Sequence, residues 1–407
     1  MKSRGLAMAK QDYRYIIVGG GLAGASAVAG IRAHDSKGSI LLIADEKHLP
    51  YNRPPLSKKL WFGQQVEQIM VHDAAFYEQQ RAELMLGSRV VLLDAWQKTV
   101  TDNLGRAYSF EKLLLATGGI PRRLSIPGGD LDGVLYYRTL DDYLKLREGT
   151  DWDKTAVVIG GGFIGSEMAA ALTVNGVRVT MIFPEPYLVQ RVFPDYMGKA
   201  IQSRYVERGI TIMHGDVPTA FSRDGVKYVT HTKNGARIES DLVVVGIGIV
   251  PAVGLAEAAE LAVDNGIVLD EFLQTSLPDI YAAGDNARFP YQALGQQMRI
   301  EHWDNALSQG AWAGKNMAGA HEPFTYMPYF YSDLFEFGYE AVGDLDSRYD
   351  TFADWKKEND TGVIYYLRDR RVCGVMLCNT WGKLDAAREV IRKGKLVAPG
   401  DLSGAIR

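Results

Sequence analysis

Cysteine is nearly absent: among 407 residues only Cys373 and Cys378 carry a thiol. Two cysteines cannot build a disulfide framework, so a reducing cytoplasm is the default setting. Their C-x-x-x-x-C spacing has the form of a redox pair. Five residues along one strand, however, put the Cα atoms roughly 16 Å apart and turn the side chains to opposite faces, whereas a disulfide needs about 7 Å. Both read as packing residues. Long apolar runs are also lacking. The longest, residues 242–256, is cut by Gly246, Gly248 and Pro251 and reads as a buried strand and turn rather than a membrane span. The opening MKSRGLAMAK is basic but has no apolar stretch of secretory type. No charge of one sign dominates either. Lys+Arg 45 against Asp+Glu 49 gives a net charge of -4, which excludes a nucleic-acid binder of the basic kind.

What remains is the composition of a globular protein, 47% hydrophobic and 23% charged. At 407 residues the chain exceeds one ordinary core and is expected to form two or three domains. The informative feature is a repeat. YIIVGGGLAGASAVAGIRA at residues 15–33 recurs in outline as AVVIGGGFIGSEMAAALTV at residues 156–174. In each copy a strand-type apolar run enters a glycine cluster and leaves as a helix-type run of small residues. Gly19, Gly21 and Gly24 form one G-x-G-x-x-G, and Gly160, Gly162 and Gly165 the other. One glycine permits the tight turn, one lets backbone approach a pyrophosphate and one brings helix against strand. The phosphates would then sit at a helix N-terminus, among free N–H groups.

Each copy is followed by an acid. The strand SILLIADE ends in Asp45 and Glu46, about 26 residues beyond Gly19, and VRVTMIF runs into Pro184 and Glu185, about 25 beyond Gly160. Both lie near the roughly 20 residues expected of an acid that hydrogen-bonds a ribose hydroxyl. A carboxylate at Glu185 repels a 2′-phosphate, which favours NADH over NADPH, although Arg191 lies close by in sequence. Two dinucleotide sites in one chain imply electron exchange between two cofactors.

The segment HLPYNRPPLSKKLW, with Pro54 and Pro55 predicting a helix from near Leu56, resembles a block of the flavin-dependent ferredoxin and rubredoxin reductases and of the apoptosis-inducing factor family. As residues alone, Lys58 and Lys59 read as a solvated pair; the resemblance implies that Arg53 and Lys58 lie on the flavin. Disulfide reductases of related build carry a cysteine pair here, and this chain has none before Cys373. FEKLLLATGGIPRRL resembles the block that closes the FAD sheet, and TSLPDIYAAGD (residues 275–285) the second FAD fingerprint, in which Asp285 would bind the ribitol chain. RIEHWDNALSQG resembles the start of the flavin-covering helix, with Trp303 packing beside the isoalloxazine and His302 a structural histidine. Glu167 occupies the place of Ser26 in the first copy. An acid on the first helical turn is favoured by the dipole, and the family resemblance implies that Glu167 approaches the flavin and pairs with Lys58. PYFYSDLFEFGYEAVG resembles the interface domain, with Tyr331 covering the flavin where ferredoxin reductases commonly have tryptophan. Arg368, Arg370 and Arg371 read as a solvated hairpin turn, with docking of an acidic iron–sulfur protein as the alternative.

The resemblance implies an α/β fold with two doubly wound, Rossmann-like nucleotide-binding domains and a C-terminal α+β interface domain. The expected boundaries are 1–123 and 242–322 for the FAD domain, 124–241 for the NAD domain and 323–407 for the interface domain. The implied cofactors are FAD and NADH, with hydride passing to the flavin and Lys58 and Glu167 tuning the flavin side. The electrons would go on to a small iron–sulfur carrier such as a ferredoxin or rubredoxin. Alternatives are a redox-responsive protein like apoptosis-inducing factor, with a long-lived reduced flavin/NAD complex controlling dimerisation, and an NADH oxidase or quinone/dye reductase. The chain is expected to be cytoplasmic and to have no membrane span, and a homodimer is one of the oligomeric states the sequence allows.

Overall fold

The run YIIV is fully buried at the end of strand Gln11–Val18, as expected of a parallel strand covered on both faces. The computed structural model describes residues 11–406, which divide into two compact units. One holds the described residues through Asn52 with Glu67–Ile120 and Pro251–Pro328, the other Arg53–Val66, Pro121–Val250 and the described residues from Tyr329.

In the first unit Gln11–Val18 lies at the centre of a seven-stranded sheet. Ile40–Ala44 and then Ala82–Leu86 pair parallel on one side, and Ala107–Leu115 on the other, in the register Ile16↔Leu41 and Ile16↔Leu113. Ile280–Ala282 pairs parallel with the second half of Ala107–Leu115, and Thr99–Asp102 pairs antiparallel with its first half, carrying Val90–Asp94 at the edge. The helices Leu22–Arg32 and Trp303–Met317 cross at glycines: a Cβ on Gly30 would meet the Ala311 carbonyl, one on Gly310 that of Ala23, and one on Gly314 that of Ala27. The run of small residues after the glycine cluster therefore serves backbone-to-backbone packing.

The second unit repeats the design with a five-stranded parallel sheet ordered Thr211–His214, Arg178–Phe183, Thr155–Ile159, Leu242–Val245, Val134–Tyr136. Helix Phe163–Val174 follows the central strand. Strand Leu242–Val245 pairs Val243↔Val157 inside this sheet, so the boundary read at Asp241 falls just ahead of one of its strands. A short all-apolar strand carries no mark of which parallel sheet it joins.

The same unit contains a five-stranded antiparallel sheet ordered Tyr329–Leu334, Phe337–Gly343, Arg371–Cys378, Thr361–Arg368, Asp350–Lys357. Helix Leu384–Lys393 packs on its Phe337–Gly343 and Arg371–Cys378 strands. Asp369 and Arg370 both have positive φ, which is the twist a two-residue hairpin turn requires; Arg370 sits in that turn, and Arg368 and Arg371 flank it. Cys373 and Cys378 share one strand, free and buried. Burial pushes the Cys373 thiol up to about 12 and raises that of Cys378 further, so neither is a thiolate at neutral pH.

The helix expected from Leu56 is instead two short 3-10 turns, Pro54–Ser57 and Lys59–Phe62, broken at Lys58 with φ -131° and ψ -104°. The proline pair presets φ for the start of a turn, and the non-helical backbone at Lys58 ends it. Among the described residues no helix is long and apolar enough to cross a membrane.

Candidate functional site

Each of the two sheets places a glycine cluster after its central strand, between two parallel neighbours, at the point where strand order reverses. Gly19 follows Gln11–Val18 and has φ +126°; a Cβ there would run into the Ala116 carbonyl, at the end of the neighbouring Ala107–Leu115. Gly160 follows Thr155–Ile159 with φ +115°, and its Cβ would run into the Gly246 carbonyl, at the end of Leu242–Val245. The third glycines seat each helix on its turn, since a Cβ on Gly24 would meet the Gly19 carbonyl and one on Gly165 that of Gly160. The middle glycines differ. Nothing lies within 4 Å of a Cβ on Gly21 or Gly162.

Those two residues are also the N-caps of Leu22–Arg32 and Phe163–Val174, and neither cap makes a side-chain hydrogen bond. Each helix start thus offers N–H groups beside open space, just outside the carboxyl ends of parallel strands at a switch point, where a dinucleotide pyrophosphate is held. These residues fit FAD and NAD(H). Gly162→Ala is expected to keep its Tm, since the methyl has room, and to weaken NADH binding about tenfold by keeping the pyrophosphate off the backbone. Calorimetric titration with NAD+ beside a thermal melt checks this, and unchanged affinity would remove Gly162 from the cradle.

In the first unit Asp45 directly follows strand Ile40–Ala44, exposed and in an ion pair with Arg89 at 2.6 Å. Glu46 accepts a hydrogen bond from the Tyr51 hydroxyl at 2.5 Å. Asp285 lies past the end of Ile280–Ala282, at the same carboxyl edge as the glycine cluster, and its carbonyl accepts from Arg299 at 2.9 Å. Its neighbour Asn286, wholly buried, donates to the Leu115 carbonyl at 3.0 Å and the Thr117 hydroxyl at 2.9 Å. Trp303 is the first residue of its helix, and its indole N–H donates to Asn52 at 2.6 Å.

In the second unit Glu185 lies two residues beyond strand Arg178–Phe183. Half-buried, it has no hydrogen-bond or ion-pair partner among the described residues. Arg53 donates to the Arg138 carbonyl at 2.9 Å.

The second unit also brings together Lys58, Glu167 and Tyr331. Glu167 sits in the second turn of its helix with a side chain 5% exposed, too far along for the dipole reading to account for it. Its Oε1 accepts from Lys58 Nζ and from the Ser332 hydroxyl, each at 2.5 Å, and its Oε2 from the Ser57 hydroxyl at 2.5 Å. Lys58 Nζ also lies 5.4 Å from the centre of the Tyr331 ring, within cation–π range. Burial pushes the Tyr331 phenol up to about 12, so the ring stays neutral. The carboxylate is thus fully satisfied and the ammonium held beside an aromatic face. The break at Lys58 separates the two 3-10 turns.

Ser57 and Ser332 escaped the sequence reading although each adjoins a residue it singled out. A hydroxyl carries no charge or spacing signal, and its partner is 110 or 165 residues away.

Residues 13–310 match the family described as pyridine nucleotide-disulphide oxidoreductase, and residues 313–361 and 353–393 the C-terminal family described as apoptosis-inducing factor, mitochondrion-associated. The chain is similar to the ferredoxin–NAD(+) reductase component of the anthranilate 1,2-dioxygenase system of Burkholderia cepacia, at 34% identity over 96% of each chain. It is 32% identical to apoptosis-inducing factor 1, mitochondrial, of Dictyostelium discoideum, over 95% of this chain and 80% of the relative. Among solved structures, the covalent putidaredoxin reductase–putidaredoxin complex matches with a TM-score of 0.89 and 32% identity, covering 97% of this chain and 96% of that one. By sequence, glycine-cluster geometry and fold together, the chain belongs to the pyridine nucleotide-disulphide oxidoreductase family.

Proposed function

We propose that this chain takes hydride from NADH onto bound FAD and passes the electrons to a small iron–sulfur protein of ferredoxin type. The observation that carries the reading is the pair of open glycine cradles, each at a switch point of its own parallel sheet. The names of the bacterial ferredoxin–NAD(+) reductase relative and of the putidaredoxin reductase complex support the choice of carrier. FAD, when bound, supplies a two-electron acceptor that can release electrons singly.

The protein's own part is binding, orientation and electrostatics. In this reading Gly19, Gly21, Gly24, Asp45 and Asp285 hold FAD, with Glu46, Arg53, Trp303 and Tyr331 around it. Gly160, Gly162 and Gly165 cradle the NADH pyrophosphate, and Glu185 accepts from the adenosine ribose hydroxyls. Lys58, fixed by Glu167, sets the positive field in which negative charge develops as hydride is taken up. Glu167 in turn is held by Ser57 and Ser332, so Lys58 is preorganised rather than flexible. No nucleophile is required, and the buried cysteines take no part. The protein is assigned to the cytoplasm, consistent with its thiol content.

The test is NADH oxidation with added two-iron ferredoxin, read through cytochrome c reduction. Strong stimulation by the carrier is expected; turnover with dioxygen or quinone alone, unaffected by any carrier, would overturn the choice of acceptor. The match of residues 313–393 to the apoptosis-inducing factor C-terminal family favours a second reading. In it a long-lived reduced complex with NAD controls dimerisation, and slow reoxidation with a change in sedimentation would mark it.

A further inference from the structure

Val189 has φ +56°. A β-branched residue in the left-handed region is a genuine outlier, and such backbone persists only where its surroundings impose it. Three sets of contacts do so. Its N–H donates to the carbonyl of Gly161, inside the glycine cluster, at 2.7 Å. Its own carbonyl accepts from the N–H groups of Val192 and Phe193, each at 3.0 Å. The far end of the turn is tied to the antiparallel sheet, where the buried Tyr366 hydroxyl donates to the Val192 carbonyl at 2.8 Å. The side chain is itself 3% exposed.

Val189 lies four residues beyond Glu185 and one peptide away from Gly162 through its bond to Gly161. We propose that Val189 is a positioning residue that locks the loop carrying Glu185 to the pyrophosphate cradle, fixing the spacing between the two ends of the adenosine diphosphate half of NADH. It rests on the NADH reading of this site. An outlier spent on loop closure alone would gain nothing from tying the turn to the one peptide flanked by Gly160 and Gly162. A substitution that frees φ should therefore loosen recognition of the adenosine half while leaving the nicotinamide half alone.

The test uses the FAD-loaded full chain and Val189→Gly, which removes the backbone strain. Thermal stability should be unchanged or higher. The Kd for ADP-ribose, measured by calorimetry, should rise about tenfold, as should the KM for NADH, because small misplacements of binding groups are costly. The rate of flavin reduction by reduced nicotinamide mononucleotide, which lacks the adenosine half, should stay within about twofold of wild type. Val189→Asn tolerates the left-handed region and should fall between wild type and Val189→Gly, which also guards against misfolding of the glycine variant. Unchanged ADP-ribose affinity in Val189→Gly, with a wild type that NADH reduces, would overturn the role of Val189 alone. Equal losses with NADH and the mononucleotide would overturn it too, and a wild type that binds no ADP-ribose would remove the NADH reading beneath it.

Discussion

Lys58→Met should destabilise the fold by about 3 kcal/mol and slow flavin reduction by NADH about a hundredfold. The two effects have different origins. Glu167 is 5% exposed and Lys58 12%, so deleting the ammonium leaves a buried carboxylate with only the Ser57 and Ser332 hydroxyls to hold it. A buried pair contributes little net stability against apolar groups of the same shape, yet breaking it from one side is costly. Adding Glu167→Gln removes the stranded charge, and the double variant should recover most of the lost stability. It should not recover the rate, because the positive field beside the Tyr331 ring is still missing. Thermal melts and anaerobic stopped-flow traces of the two single variants and the double variant separate these effects. A Lys58→Met protein with wild-type reduction kinetics would confine the pair to a structural role.

Glu185→Arg should move the preference from NADH toward NADPH by about a hundredfold in the ratio of kcat/KM values, which corresponds to about 2.8 kcal/mol. A carboxylate at the ribose edge repels a 2′-phosphate, and a guanidinium forms a charge-assisted, forked hydrogen bond with it. Unlike Glu167, Glu185 is half-buried without a partner among the described residues, so replacing it strands no cation and Tm should hardly change. A preference that stays with NADH, in a variant that still binds the dinucleotide, would take Glu185 out of the ribose site.

The contrast between these glutamates shows what the sequence made legible. The glycine clusters were readable because backbone approach and left-handed turns leave few choices of residue at fixed spacing; the ribose role of the acids after them is a proposal, which Glu185→Arg tests. The doubled motif also fixed the two parallel sheets. The contact of Lys58 with Glu167, across 109 residues, has no local signature and was accessible only through resemblance. Ser57, Ser332 and Val189 were not accessible at all: two are uncharged hydroxyls, and the third owes its interest to a φ angle that no residue type announces. The helix expected at Leu56 failed because prolines mark the start of a turn without specifying its length. The boundary at Asp241 fell ahead of a strand whose apolar side chains would suit either sheet.

The most direct test of the central claim, that two cradles in one chain hold two nucleotides that exchange hydride, is an anaerobic titration of the FAD-loaded protein with NADH, followed at the flavin absorbance. One NADH per flavin should bleach the band completely, and Gly162→Ala should require more NADH for the same end point. Protein that retains no flavin after reconstitution, or a bound flavin that stays oxidised under excess NADH, would contradict it.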